Sequence, residues 1–253
     1  MEYDFTSISG FVWALLVVVF FFGGVFKGLA GAGLPIVLVT AGASILPPAL
    51  AVAVATFPMF ATNVLQAWQG RRYWQEIKTF WRLLFAAAAL TFVGAKILVA
   101  ANPKIIALVL GCIVVTFALT RIFKIRMTVP DEYRYIFDWL FGCLSGFIGG
   151  MSGFHGPPIM IYFATLKLPK DFFVALLATV FVIGGLPLYG SLMFHNVLTF
   201  DVLMISMAAS VPVLIGMEIG RRLRGRFSET GFAKILTVFF FIMGANLIRR
   251  GLF

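Results

Sequence analysis

SGFIGGMSGFHGPPIM, residues 145–160, sets five glycines, two prolines and a histidine between two apolar runs. Proline lacks an amide proton and clashes with the preceding turn, and glycine weakens a helix, so residues 146–158 cannot form one continuous helix. At membrane depth the freed backbone groups are tolerated only where protein buries them or a water-filled cavity hydrates them. A break of this kind predicts a buried site rather than a surface loop.

The rest of the chain supplies the membrane. Hydrophobic residues are 61% of 253 and charged residues 12%, and the mean hydropathy is +1.02, outside the range of water-soluble domains. Apolar runs of ~17–25 residues follow one another, the length of a helix crossing ~30 Å of hydrocarbon, without the short alternation of a membrane β-barrel. The net charge of +10 sits at the ends of these runs, as topology signals do, and not on a soluble face built for nucleic acid. Cys112 and Cys143 lie inside apolar segments and read as small buried hydrophobes. Glu2 and Asp4 leave the start without a basic region, so the first run is expected to be retained as a span.

Apolar blocks between breakers fall at 8–29, 33–46, 47–69, 76–100 and 103–123, and again at 134–150, 156–167, 170–193, 198–221 and 229–251. The second block of each set is too short to span and reads as a half-helix or re-entrant piece. Two repeats are expected, 1–123 and 134–253, joined by a cytoplasmic linker at 124–133. Loops carrying Arg71, Arg72, Lys78 and Arg82, then Arg121, Lys124, Arg126 and Arg134, then Arg221, Arg222, Arg224 and Arg226, are expected inside. The connections near 102 and 194–200 and the acidic N-terminus are expected outside, which inverts one half relative to the other. Arg249 and Arg250 resist the scheme, since it puts them outside. In residues, GVFKGLAGAGLP (24–35) matches GCLSGFIGGMSGFHGPP (142–158): Gly24 and Gly28 pair with Gly142 and Gly146, and Pro35 with Pro158 after a five-residue insertion. Ala55-Thr56 then falls opposite Ala178-Thr179. Inverted halves with interrupted segments in equivalent places are the pattern of a secondary transporter.

A half-helix starting near Pro157 or near Leu34 and Pro35 points its amide dipoles into the break, and helix N-termini attract anions. Brought together by the symmetry, the two breaks would face one small oxyanion. The competing reading of the glycines is close helix packing at small-xxx-small spacing. Lys27 is either a site cation, costly at depth, or a lysine snorkelling to the interface. His155 either donates to the anion, carries a coupled proton, or bonds to loop carbonyls. Thr56, Asn63, Ser152 and Thr179 are neutral donors, with bonding to their own helix as the alternative for the hydroxyls. Arg82 and Lys96 are expected to snorkel, and Glu218 to pair with Arg221 and Arg222. Asp138 reads as lying near a segment end, leaving no carboxylate in mid-span. An intramembrane enzyme would need a nucleophile with its base, or a metal set, which one deep histidine does not make.

GLAGAGLP and GFIGGMSGFHGPP, the Ala-Thr in each following helix and the basic middle linker resemble the sulfite exporter TauE/SafE family of membrane permeases. That resemblance implies export of sulfite or related organosulfur anions from a bacterial cytoplasmic membrane, driven by an ion gradient. The expected fold is all-α and polytopic, and the expected function is an anion exporter working by alternating access, with an anion channel as the alternative. Substrate contacts are expected from Lys27, Gly31, Gly33, Thr56, Asn63, Gly150, Ser152, His155, Gly156 and Thr179. Expected partners are the anion, H+ as coupling ion, the lipid bilayer and a second copy in a homodimer, with no cofactor, metal or nucleic acid.

Overall fold

The computed structural model describes residues 9–31, 33–123, 129–166, 168–223 and 229–253. Glu2, Asp4, Ala32, Lys124, Arg126, Lys167, Arg224 and Arg226, and with them most of the expected linker, lie outside the described residues. The described chain is helical: α1 (Gly10–Ala30), α2 (Leu34–Ala43), α3 (Pro48–Gln69), α4 (Trp74–Lys78), α5 (Trp81–Ala100), α6 (Pro103–Phe123), α7 (Arg134–Ser152), α8 (Gly156–Thr165), α9 (Lys170–Phe194), α10 (Phe200–Leu223) and α11 (Glu229–Leu252). Six of these are long and apolar enough to cross a membrane, namely α1, α3, α5, α6, α9 and α10. The protein is an all-α polytopic membrane protein. One expected run divides: 76–100 becomes α4 and α5, with Thr79, whose hydroxyl donates to the Glu76 carbonyl (2.7 Å), as the cap of the first piece.

Both breaks begin the same way. Gly31 (φ 79°) and Gly153 (φ 72°) take the left-handed conformation, and their amides return to the Lys27 and Gly149 carbonyls at 2.8 and 2.7 Å. The half-helices α2 and α8 then start with proline in their first turn. All ten residues of α2 are buried.

Glycine sets the helix pairing. A β-carbon at Gly24 or Gly28 would lie 2.1 or 2.2 Å from the Val213 or Met217 carbonyl oxygen of α10. At Gly146 or Gly150 it would lie 2.2 or 2.3 Å from the Ala87 or Thr91 oxygen of α5. These are backbone-to-backbone approaches that only glycine permits. Thus α1 packs along α10 and α7 along α5, while α6 packs with α11 and α3 with α9.

These contacts correct the expected repeat register. Gly24 takes the place of Gly146 and Gly28 that of Gly150; Gly31 matches Gly153 at the caps, and Pro47 matches Pro169 ahead of α3 and α9, every pair 122 positions apart (153 minus 31, 169 minus 47). No five-residue insertion is present, and Gly142 and Gly146 are not the partners of Gly24 and Gly28. Thr56 and Thr179 fall one residue out of register, about 100° around a helix.

The ends also segregate. Arg72 pairs with Asp171 (2.6 Å), and the Arg134 guanidinium lies 4.4 Å from the centre of the Phe80 ring. Arg72, Lys170 and Arg221 line one cavity. The C-terminal end of α1 and the N-terminal end of α7 therefore share one arginine-rich end. Lys104, Arg249 and Arg250 gather at the other.

One proline inside a span is compensated by a neighbouring helix. Pro58 frees the Val54 carbonyl in α3, and Ser206 of α10 donates to it (2.7 Å) while accepting from the Phe57 amide (3.0 Å).

Candidate functional site

A cavity of about 330 Å³ enters from the arginine-rich end, where exposed Arg72 and Asp171 form part of its rim. Lys27, Gly28 and Gln66 lie among its lining. Lys27 is 2% exposed, so it does not snorkel. Its Nζ donates to Asn63 Oδ1 (2.6 Å), whose own amide donates to the Met59 carbonyl (2.8 Å), and Gln66 donates to the Gly31 carbonyl (3.2 Å). Asn63, Gln66 and Gln69 are three residues apart and form a polar stripe on α3. Among the described residues no carboxylate pairs with Lys27. An ammonium taken out of water without a counter-charge costs several kcal/mol, and the cavity is the route by which Lys27 adjoins solvent.

The dipole ends expected to form the cradle are placed otherwise. Gly33 (φ 94°) is the N-cap of α2, and a β-carbon there would meet the Phe26 ring at 2.4 Å. Leu34 is fully buried. The α2 N-terminus is thus packed against α1 and does not line the cavity; side chains of α1 and α3 do.

The second break is closed. His155 is 1% exposed, and a β-carbon at Gly149 or Gly184 would sit 2.4 or 2.6 Å from its ring, which also meets Phe181 edge-on. Thr91 donates to the Ala87 carbonyl (2.6 Å), so its oxygen accepts from His155 Nε2–H (3.0 Å). That tautomer leaves the buried Nδ1 without a protein partner among the described residues. Ser145 donates to the His155 carbonyl (2.8 Å). In the common register Gly149 stands where Lys27 stands, and His155 where Gly33 stands, so an imidazole from beyond the break fills the second half.

The other expected contacts divide accordingly. Gly150 packs against Thr91 in mid-helix, and Ser152 bonds to the Ile148 carbonyl and caps the Phe154 amide (3.0 Å). Gly156 opens α8 with ordinary contacts to Phe181 at 3.5 Å. Thr56 donates to the Ala53 carbonyl (2.7 Å) beside the Pro58 kink, and Thr179 to the Ala175 carbonyl (2.8 Å). Lys27, Asn63 and Gly31 come together at the first break, but of the expected contacts only Lys27 lines its cavity; Gly31, Gly33, Asn63, Gly150, Ser152, His155, Gly156, Thr56 and Thr179 do not. Glu218 holds Arg221 and Arg222 at 2.7 Å, as its spacing requires. Lys96 lies exposed over Phe92 (4.5 Å). Asp138 is 2% exposed and accepts from the Tyr162 hydroxyl (2.7 Å), so it is buried despite its place near a helix end. Cys112 is exposed, a correction to its reading as buried.

α3 and α9 cross antiparallel, with Gly70 against Ala175 and Phe60 against Tyr189. Asn63 and Gly184 lie between those contacts, so the polar side chains of the two breaks approach the same central crossing from opposite halves. A paired, interrupted architecture around one crossing belongs to permeases, and the model of the sulfite exporter TauE/SafE family matches residues 16–247. The chain belongs to the TauE/SafE family. Membership makes it a membrane transporter. No curated protein and no solved structure matches the chain. The sequence reading passed over Gln66 and Gln69, which line the cavity, and Thr91, which meets His155. The three-residue stripe on α3 was legible as a signal for the first two, whereas Thr91 gave none.

Proposed function

We propose that this TauE/SafE protein is a secondary transporter that exports small oxyanions, sulfite or related organosulfur anions, by alternating access of two inverted halves. The observation that carries the reading is a buried, uncompensated Lys27 at a cavity rimmed by arginines. An oxyanion entering from that end exchanges its hydration for the Lys27 ammonium and the Gln66 and Gln69 amides, donors suited to sulfur oxygens. The arginine-rich end is cytoplasmic in this reading, so the cavity loads from inside. The packed second break, with His155 wedged between Gly149 and Gly184, is the closed outer gate of the same cycle. A carrier of this kind needs one break shut while the other admits substrate, and a channel needs both open; the packing around His155 therefore favours the carrier. Export against a gradient is coupled to H+ in this reading.

The test is counterflow in proteoliposomes with labelled sulfite, in competition with sulfate, thiosulfate and organosulfonates, and with an imposed pH gradient. Exchange of labelled for unlabelled sulfite, lost in Lys27→Met, supports the reading. Conductive flux without exchange, or exchange unchanged in Lys27→Met, rejects it.

A further inference from the structure

The positive-inside pattern leaves Arg249 and Arg250 unexplained, and the structure adds Lys104 to them. All three line a second cavity of about 570 Å³ at the end opposite the Lys27 cavity. Lys104 comes from the first turn of α6 and the two arginines from the last turn of α11. No carboxylate side chain is among the lining residues. Cations gathered at one end repel one another, and loops on this side of a span ordinarily shed Lys and Arg. Protein partners account for part of each side chain. Arg250 donates to the carbonyl of Ala43, the last residue of α2, and offsets the negative end of that helix. Arg249 donates to Asn246 Oδ1 (3.1 Å) and Lys104 to the Phe253 carbonyl (2.8 Å). The partners of Arg249 and Arg250 are neutral, so their two charges remain unbalanced. The remaining walls are apolar, Pro47, Pro48, Pro103 and Ala107 among them.

We propose that this cavity is an oxyanion site, separate from the Lys27 cavity, in which Lys104, Arg249 and Arg250 hold a phosphate-like group. Guanidinium forks and an ammonium match the oxygens of such a group. The apolar walls and the volume suit the phosphate of an anionic phospholipid headgroup with part of its glycerol. A free inorganic oxyanion offers the same chemistry without the apolar part. Because Arg250 also caps α2, an occupant here is felt by the half-helix that leads back to the first break. The proposal rests on no step of transport.

The test uses the purified full chain in detergent, with Tm read from intrinsic tryptophan fluorescence at constant ionic strength. Phosphatidylglycerol in mixed micelles and inorganic phosphate are titrated separately, with phosphatidylcholine as the uncharged control. A saturable Tm rise of about 3 °C is expected with an anionic ligand and not with phosphatidylcholine. The double variant Lys104→Gln/Arg249→Gln, which leaves the Arg250 cap in place, should weaken the apparent affinity at least tenfold, and Lys27→Met should leave it unchanged. A rise with phosphatidylglycerol alone names the lipid as the source; a rise with phosphate as well names the free oxyanion. No rise with either, a rise indifferent to the double variant, or a rise abolished by Lys27→Met overturns the proposal. Loss of counterflow leaves this result untouched, so the two failures are distinguishable.

Discussion

Lys27 of α1 reaches across to Asn63 of α3, Nζ to Oδ1 at 2.6 Å, with both side chains buried. That bond ties the end of the first span to the central crossing and leaves a cation facing the cavity. Lys27→Met keeps the length and apolar stem of the side chain, so the protein should fold while efflux falls at least about 100-fold, since ~3 kcal/mol of charge-assisted binding is lost. Asn63→Leu strands the ammonium instead and should cost about 2–3 kcal/mol of stability as well as transport. Efflux rates and Tm measured side by side separate the two; equal behaviour of both variants would contradict the assignment.

Glycines in this chain should sort by what lies opposite them. Gly146→Ala drives a methyl into the Ala87 carbonyl oxygen at 2.2 Å and should destabilise by about 1–3 kcal/mol, whereas Gly156→Ala meets only ordinary contacts at 3.5 Å and should be close to neutral. Thermal unfolding of the two variants decides it, and similar losses would refute the packing reading.

His155 and Gly184 should be coupled. Gly184→Ala presses on the imidazole at 2.6 Å and should cost stability, and adding His155→Ala should recover part of that cost, giving an interaction energy of about 1 kcal/mol or more in a double-mutant cycle. Additive losses would show that the ring does not wedge the second break.

Arg72 and Asp171 make an ion pair at the rim, 2.6 Å, but their side chains are 63% and 72% exposed. Asp171→Asn should change Tm by less than the equivalent of about 1 kcal/mol, and salt should weaken the pair further. A large loss would mean the pair is a structural clamp.

The two ends should label from opposite sides of the membrane. With Cys112 and Cys143 replaced, Lys78→Cys should react with an impermeant thiol reagent from the cytoplasmic side and Phe194→Cys, 83% exposed, from the other. The reverse pattern would turn the exporter's direction around while leaving the helix pairing intact.

Much of the architecture was legible in one dimension. Expected runs 47–69, 103–123 and 170–193 became Pro48–Gln69, Pro103–Phe123 and Lys170–Phe194, because span length, proline starts and glycine stops are local properties of the chain. The division at Thr79 was not legible, since no glycine or proline marks it.

By itself, then, the sequence determined an all-helical membrane protein with two interrupted segments, basic residues sorted by side, and a lysine placed at depth; hydropathy, proline and glycine act on the residues around them. Which glycines make packing surfaces, how the halves align at 122 positions, why Lys27 meets Asn63 while His155 is shut between Gly149 and Gly184, and that the first break adjoins a cavity were decided by tertiary structure. Each depends on the helix lying opposite, and that neighbour is set by close approach between segments far apart in the chain, which no local pattern records.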